Sequence, residues 1–483
     1  MMGNSCTRRR FLSSAAAASL VGVSACASAR RYRGPVSGGP RIAVIGLRVQ
    51  GRRHLQALLR RTDVDVTGVC DPDPRVLGHA MALGNQYKRP VPPFLDVRKL
   101  LDSSEVDAVV IATPDHWHCL LTDWALQAGK HVYVESPPSH SIQEGTWMLE
   151  AARRHQRVVR AAMPLRSHRG VRDGVAFLHQ GGAGRILDVK AFCYLDRRSL
   201  GTSGAPCVLP KGLDFDLWAG PAPLEVPRRG SLHGDWRFDW RTGNGDTGEW
   251  GLHAIDLAHW IARADALPEQ LWACGGRLGP ADDGVTPNTI LAGFRYPSTT
   301  MAYEACSLPS VRGKIPGVRR AGLGVLVTAT KGRALFDAQR GSCIAQDHDG
   351  GLLGEFRGRG DSLGEFIRDL AENRGRLSAL RSALRAASLV HLVHNAQRSS
   401  QACGRADVLR GLAEVRPLLD SFYSLDEQLG NGGLDFDQSG ALCSGWRRLE
   451  RHGAAFESFP GANDLSARTY RRGFTPDQSL RSE

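Results

Sequence analysis

The stretch RIAVIGLRVQG, residues 41–51, decides the fold of this 483-residue chain. An apolar run at residues 42–45 ends at Gly46, and a helical spacing of leucines follows it. Short apolar runs of this kind, separated by helical periods, recur as far as residue 162. The alternation predicts a parallel sheet covered by helices on both faces, which is a Rossmann-type α/β domain over residues 41–162.

The turn after the first strand has the spacing of a dinucleotide-binding turn with one glycine replaced. Gly46, Arg48 and Gly51 stand where glycines allow a tight turn, close approach of the backbone to a pyrophosphate, and close packing of the helix. Asp71 ends the second strand, where a carboxylate binds the adenosine ribose. We therefore expect NAD as cofactor, and Arg75 leaves NADP open. Arg48 has two interpretations, because it either pairs with the phosphates or obstructs the cofactor.

Beyond residue 162 the pattern changes to consecutive strands with few helices. This predicts an α+β domain with a mostly antiparallel sheet over residues 163–400. Residues 401–483 are expected to form a C-terminal extension that is partly loosely ordered, because the chain becomes Gly-rich and polar from residue 431. The open sheet of the second domain also offers a surface for a homo-oligomer.

Residues 1–29 predict export by the twin-arginine route. Three consecutive arginines precede Phe-Leu and an apolar run that is too short to span a membrane. An Ala-Ser-Ala sequence at 27–29 resembles an ordinary cleavage site, whereas the preceding residues resemble a lipoprotein box with Cys26 as the acylated residue. Residues 30–40 have the composition of a linker. The expected location is the periplasm or, with a lipid anchor, the cell envelope.

Composition and spacing argue against nucleic-acid and metal binding. The net charge is +13, but arginines scattered along the chain supply most of it and form no basic stripe interleaved with aromatic residues. The eleven cysteines include no C-x-x-C pair, so neither a metal knuckle nor a disulfide framework is indicated. His116 and His118 have the spacing of metal ligands, yet we interpret them as turn and cleft-wall residues, because no third ligand is in view.

Four ordered motifs resemble the Gfo/Idh/MocA family, the relatives of glucose–fructose oxidoreductase and inositol dehydrogenase. They are ATPDHWH at 112–118, GKHVYVE at 129–135, DLWAGPAP at 216–223, and the segment 236–256 with its end GNGDTGEWGLHAID. The resemblance extends over roughly residues 41–398. It implies an enzyme that oxidises or reduces sugars, cyclitols and related polyols with nicotinamide.

The resemblance also implies the site residues. The family pairs the lysine of a Glu-Lys-Pro motif with a histidine of the second domain, because such a reaction needs a base for the hydroxyl proton and a cation for the developing alkoxide. Here Ser136 replaces the lysine, and the histidine is retained. The implied catalytic residues are His253, Asp256, Glu249 and Ser136. The implied cofactor-binding residues are Gly46, Arg48, Gly51, Asp71, Thr113, Pro114, His118 and Glu135.

Three functions stay open at this point. The first is an exported NAD(P)-dependent oxidoreductase that acts on a sugar or polyol with His253 as acid and base. The second is a non-catalytic descendant that binds a nucleotide or a carbohydrate, since loss of catalysis would produce changes at Arg48 and Ser136 together. The third is glycoside cleavage through transient oxidation by a retained nicotinamide cofactor, which some members of the family perform.

Overall fold

The computed structural model of the chain describes residues 39–477, except 265, 280, 298, 309–320, 376 and 452. The predicted export signal, the acylation site proposed at Cys26 and most of the predicted linker lie outside the described residues. Among the helices that are described, none has the length and apolar character needed to cross a bilayer.

The first domain is a parallel sheet with helices between its strands, as the sequence predicts. The strands are β1 (Arg41–Ile45), β2 (Asp65–Cys70), β3 (Pro93–Phe94), β4 (Ala108–Ile111), β5 (His131–Val134) and β6 (Val159–Ala161). The intervening helices are α1 (Val49–Leu59), α2 (Pro74–Gln86), α3 (Val97–Leu101), α4 (His118–Gln127) and α5 (Ile142–His155). The strand order is β3-β2-β1-β4-β5-β6, and every pairing is parallel. This is the Rossmann order, in which the direction of winding reverses between β1 and β4.

The second domain is built on a large sheet that is mostly antiparallel, which confirms the predicted fold class. Its strands are β7 (Ile186–Tyr194), β8 (Gln270–Gly276), β9 (Thr289–Arg295), β10 (Thr300–Cys306), β11 (Leu323–Ala329), β12 (Gly332–Asp337), β13 (Ser342–Asp347), β14 (Leu352–Arg357), β15 (Gln401–Ala402), β16 (Leu442–Cys443) and β17 (Arg447–Arg448). They follow the order β14-β13-β12-β11-β7-β10-β9-β8-β16-β15, and β17 also pairs with β8. Of these pairings, that of β7 with β10 is parallel.

Two of the later helices pack against the first domain. The helices after β6 are α6 (Pro164–Ser167), α7 (Arg169–His179), α8 (Phe215–Ala219), α9 (Leu232–Asp235), α10 (Leu252–Ile261), α11 (Ser362–Ala371), α12 (Leu377–Arg398), α13 (Arg405–Leu412), α14 (Arg416–Asn431) and α15 (Pro460–Asp464). Phe366 of α11 packs in one buried cluster with Ile42 and Val44 of β1. Helix α12 contacts α5 and β6 on one side and α10 and β8 on the other. The two domains therefore share a core through α12.

The C-terminal extension has regular structure in its first half. Residues 401–448 include α13, α14 and three short strands at the edge of the large sheet. Leu418, Phe422, Leu425 and Leu429 lie along one buried face of α14. Apolar residues at this helical spacing form one face of a helix, and burial of that face against the sheet stabilises α14.

Candidate functional site

A cavity of about 860 Å³ lies at the carboxyl end of the parallel sheet, where the strand order reverses between β1 and β4. Its wall combines the turns after β1, β2, β4 and β5 with side chains of the second domain, among them Glu249 and His253. Ligands of open α/β sheets bind at such a reversal, and the volume is in the usual range for small-molecule sites. The cavity is therefore the candidate functional site.

The turn after β1 requires glycine at two of the three motif positions. Gly46 has φ +80°, and a Cβ on it would lie 2.6 Å from the carbonyl oxygen of Ala112. A Cβ on Gly51 would lie 1.7 Å from the carbonyl oxygen of Gly46. Arg48 has φ −76°, which any residue adopts, and its side chain is exposed. No side chain caps the N-terminus of α1 here, so its first N–H groups are free to bind an anion.

Asp71 lies on the cavity wall but has a structural task that the motif does not predict. One carboxylate oxygen accepts a hydrogen bond from the N–H of Leu47 at 2.9 Å, and the other accepts one from the N–H of Asp73 at 3.0 Å. Burial raises the pKa of Asp71 to about 6, although these two hydrogen bonds oppose the rise. Asp71 therefore fastens the phosphate turn to the end of β2, next to the position expected for the ribose.

Thr113 and Pro114 in the loop after β4, and His118 at the start of α4, line the cavity. The His118 ring lies between two carbonyl oxygens, with Nδ1 2.7 Å from that of Pro137 and Nε2 2.9 Å from that of Thr113. Burial lowers the pKa of His118, and the two carbonyls oppose this. His118 thus joins the loops after β4 and β5. In His116, too, both ring nitrogens face carbonyl oxygens, each at 3.2 Å, so neither has a free face for a metal ion.

Glu135 connects the loop after β5 to helix α1. Its Oε1 lies 2.5 Å from Nε2 of His54 and accepts a hydrogen bond from Nε2 of Gln50 at 3.2 Å. Burial alone would raise the pKa of Glu135, but the hydrogen bond from His54, its electrostatic attraction, and the hydrogen bonds from Gln50 and the N–H of Ser136 together hold the pKa below its usual value. Gln50 and His54 also line the cavity. No motif indicates these two residues, although their spacing of four on α1 places them on one helix face.

Ser136 and His253 come together from the two domains, as the resemblance implies. Oγ of Ser136 lies 3.1 Å from Nε2 of His253 on the cavity wall. Nδ1 of His253 is buried and has no hydrogen-bond partner among the described residues. Burial lowers the pKa of His253, while the carboxylates of Glu135 and Asp256 oppose the change. Burial therefore favours the neutral form of the ring.

The two acidic residues of the 236–256 motif lie in different places, since Glu249 lines the cavity and Asp256 does not. Glu249 lies on a π-helical turn, Thr247–Gly251, and lines the cavity with its Oε2 2.7 Å from Nε of Arg237. Burial raises the pKa of Glu249, and Arg237 opposes the rise. Asp256, one helical turn beyond the histidine, instead accepts two hydrogen bonds from Arg166 of α6, at 2.7 and 2.8 Å. The structure therefore gives Asp256 an ion pair in place of a position on the cavity wall.

Several basic side chains on the wall have no counterpart in the predicted site. Arg197 pairs with Asp246 at 2.7 Å, and Nε2 of His233 lies 3.1 Å from Oδ2 of Asp73. Arg237 lies at the start of the 236–256 motif, so the motif itself contained a usable signal for it. Arg197 follows strand β7 by three residues and His233 lies in the short helix α9, and neither position carries a motif that indicates the cleft.

Comparison with family models identifies both domains. The model of an oxidoreductase family with an NAD-binding Rossmann fold matches residues 40–163, and the model of the C-terminal α/β domain of the same family matches residues 194–271. Glycosyl hydrolase family 109 protein 2 of Shewanella sp. (strain ANA-3) is 33% identical over 171 residues, which are 31% of this chain and 38% of that protein. An alpha-N-acetylgalactosaminidase of Shewanella oneidensis is 29% identical over 122 residues, 24% of this chain and 27% of the relative. The similarity thus spans less than half the length of these relatives.

Solved structures share the fold over both domains. A dehydrogenase from Bordetella pertussis, in complex with NADH and UDP-GlcNAcA, covers 74% of this chain and 94% of its own at a TM-score of 0.55 and 18% identity. A 3-ketoreductase from Actinomadura kijaniata, in complex with NADP and TDP-benzene, covers 74% and 97% at the same TM-score and identity. These likenesses establish the architecture, and the family models confirm the resemblance of the motifs. The chain belongs to the Gfo/Idh/MocA oxidoreductase family, with an NAD-binding Rossmann fold as its first domain.

Proposed function

We propose that the cavity binds a nicotinamide dinucleotide and that His253 exchanges a proton with a secondary hydroxyl of a sugar, cyclitol or related polyol. The contact of Ser136 with His253 across the two domains carries this proposal. It places a neutral imidazole and a hydroxyl at the point where the wall of the Rossmann domain meets that of the second domain. The reaction is the oxidation or reduction of that hydroxyl carbon, and the nicotinamide, when bound, would supply the two-electron redox chemistry.

The residues of the first domain fit this cofactor. The Gly46 turn offers a backbone without side-chain obstruction, and the N-terminus of α1 is uncapped. Thr113 Oγ1 is buried on the cavity wall without a hydrogen-bond partner among the described residues, which suits a ligand that brings a polar group. Arg48 does not strain the turn, so we favour its role as a charge-assisted donor to the pyrophosphate. Asp71 and Asp73 would repel a 2′-phosphate, which favours NAD over NADP.

His253 supplies the proton chemistry from the second domain. Its neutral ring can accept a hydroxyl proton at Nε2 and return it in the reverse direction, while the hydroxyl of Ser136 orients the same nitrogen. Ser136 lacks the positive charge of the lysine that the family uses. Loss of one electrostatic partner slows such reactions by about 10²–10³ without ending them. Arg237, paired with Glu249 on the same wall, is a motif residue whose positive charge can offset part of this loss.

Nucleotide titration followed by turnover tests the proposal. Purified full-length chain is titrated with NAD⁺ and NADP⁺ by calorimetry, and reduced nicotinamide is then followed by absorbance as candidate polyols are added. We expect NAD⁺ to bind more tightly than NADP⁺, and His253→Asn to keep the binding and lose the turnover. A chain that neither carries a nucleotide nor binds one would refute the oxidoreductase proposal. Binding without turnover of any sugar or polyol would support the non-catalytic descendant.

The relatives named for glycoside hydrolysis favour a second candidate, in which oxidation of a sugar hydroxyl is transient and a glycosidic bond is cleaved. A chromogenic alpha-N-acetylgalactosaminide separates the two. Release of the chromophore that depends on added NAD⁺, with no net reduction of NAD⁺, would favour cleavage over net oxidation.

Export by the twin-arginine route is also a proposal. Fractionation of cells that express the chain with Arg8, Arg9 and Arg10 replaced by lysine tests it.

A further inference from the structure

Three cysteine side chains from three segments of the chain converge at one edge of the large sheet. Cys274 lies in β8, Cys443 lies in β16, and Cys403 follows β15. Their sulfur atoms all lie within 4.8 Å of one another, and Sγ of Cys274 is 3.8 Å from Sγ of Cys403. Within the described part of the chain, no other group of three or more His, Cys, Asp or Glu side chains converges in this way.

The cluster is separate from the cavity of the candidate active site. None of the three cysteines is among the residues that line that cavity. They belong instead to the apolar cluster between the sheet and helices α13 and α14, which also contains Trp272 and Leu412. Cys274 is buried, whereas Cys403 and Cys443 are partly exposed, so an ion could reach the sulfur atoms from solvent.

The separation of the sulfur atoms suits a metal ion. Metal–thiolate bonds to Zn²⁺ are about 2.3 Å long, and two such bonds at a tetrahedral angle separate their sulfur atoms by about 3.8 Å. The distance from Cys274 to Cys403 has this value. A disulfide would need about 2.05 Å between two sulfur atoms and would leave the third cysteine without a partner. One ion would use all three side chains.

Backbone hydrogen bonds hold the three positions in place without an ion. Cys443 pairs directly with Cys274 in the antiparallel ladder of β16 and β8. The N–H of Ser444 donates to the carbonyl of Ala273 at 2.9 Å, and the N–H of Cys403 donates to the carbonyl of Ala441 at 2.9 Å. Binding would therefore require little reorganisation of the backbone, and affinity is gained when ligands are held in position beforehand.

We propose that Cys274, Cys403 and Cys443 bind one soft metal ion, Zn²⁺ or Cu⁺, through three thiolates. Soft sulfur ligands select these two ions. With three protein ligands, Zn²⁺ would take a water as its fourth ligand, whereas Cu⁺ would be satisfied by the three sulfur atoms. The ion would join β8 to the C-terminal extension, which comes to the sheet edge from residues far along the chain. Metal binding here would contribute to the stability of that extension.

Metal titration of the reduced full-length chain tests this site. Cd²⁺ serves as the probe, because cadmium–thiolate bonds absorb in the ultraviolet, and metal content is measured after separate loading with Zn²⁺ or with Cu⁺ under anaerobic conditions. We expect one equivalent per chain. Cys403→Ser and Cys443→Ser should each weaken binding by more than about 100-fold, beyond the usual cost of an outer-shell change. The matched control is Cys306→Ser, a buried cysteine of β10 in the same sheet.

Two further measurements distinguish a loss of metal binding from a loss of folding. Thermal unfolding without metal shows whether each variant still folds. A rise in the unfolding temperature on addition of metal should occur only in the parent chain and in the control variant Cys306→Ser. Binding that is absent from the reduced parent chain, or that survives both cluster variants, would overturn the proposal. So would a chain that is isolated with two of the three cysteines joined in a disulfide and that binds no metal after reduction. Comparison of Zn²⁺ with Cu⁺ loading identifies the ion.

Discussion

Replacing His131 by asparagine is expected to remove a defined part of the sensitivity of this protein to acid. His131 lies in β5 and is 2% exposed, and its Nδ1 accepts a hydrogen bond from the N–H of Val158 at 2.9 Å. Burial and, to a smaller extent, Arg157 lower the pKa of His131, Asp107 opposes them, and the result is a pKa of about 4. Protonation would place a second N–H opposite the N–H of Val158, so the folded chain keeps this ring neutral.

The magnitude follows from the difference between the folded and the unfolded pKa. The unfolded ring takes up a proton near its ordinary pKa of 6.5, whereas the folded ring does so only near 4. Because the folded pKa is depressed, the contribution to stability is present above about pH 6.5 and is lost as the pH falls toward 4. Between about pH 7 and pH 5 this one ring costs about 2 kcal/mol of the free energy of unfolding.

Urea denaturation at both pH values measures the effect. The oxygen of asparagine can accept the hydrogen bond that Nδ1 accepts, so His131→Asn removes the titration while it keeps the acceptor. We expect its loss of stability between pH 7 and pH 5 to be about 2 kcal/mol smaller than that of the parent chain. His79→Gln, on the exposed face of α2, is the control and should follow the parent chain. Equal losses in the parent chain and in His131→Asn would refute the reasoning.

Three other predictions concern the site and its support. Gly51→Ala should weaken binding of NAD⁺ at least about tenfold by calorimetry, because a Cβ there would lie 1.7 Å from a backbone oxygen of the turn, whereas Gly78→Ala has open space and should bind normally. Ser136→Ala should lower kcat about tenfold with little change in nucleotide affinity, since it removes one hydrogen bond to the catalytic ring; an unchanged kcat would count against an orienting role. Arg166→Gln should reduce the free energy of unfolding by about 2 kcal/mol in urea, because it leaves the buried Asp256 unpaired.

The first domain could be predicted from the sequence because its signals are local. The position of Gly46 after a short apolar run, and of Asp71 at the end of the second strand, depends on residues close in the chain. The period of apolar residues determines strand or helix, and a parallel sheet with intervening helices then has few topologies. The motif with His253 likewise indicated one partner across the cleft correctly, since Ser136 does lie beside it.

The parts that could not be predicted depend on contacts between distant residues. Asp256 has the spacing to face the cleft, yet Arg166, ninety positions earlier, draws it into an ion pair. Cys274 and Cys403 are 129 positions apart, so their approach leaves no short spacing in the sequence. The apolar face of α14 predicts its burial, whereas the Gly-rich composition of the segment after it is typical of loosely ordered chain. Pairing of that segment with the sheet edge is what orders it.

The two departures from the family motifs change different properties of the cleft. At the phosphate turn, arginine stands where the motif has glycine, and its negative φ of −76° does not need a glycine, so the replacement chiefly adds a positive charge. At Ser136, the exchange removes a positive charge beside a neutral His253 whose pKa burial already lowers. Of the other arginines that line the cavity, Arg197 and Arg237 pair with carboxylates. The cleft therefore combines a more cationic phosphate site with a less cationic reaction site, an arrangement that favours retention of the dinucleotide over stabilisation of an alkoxide.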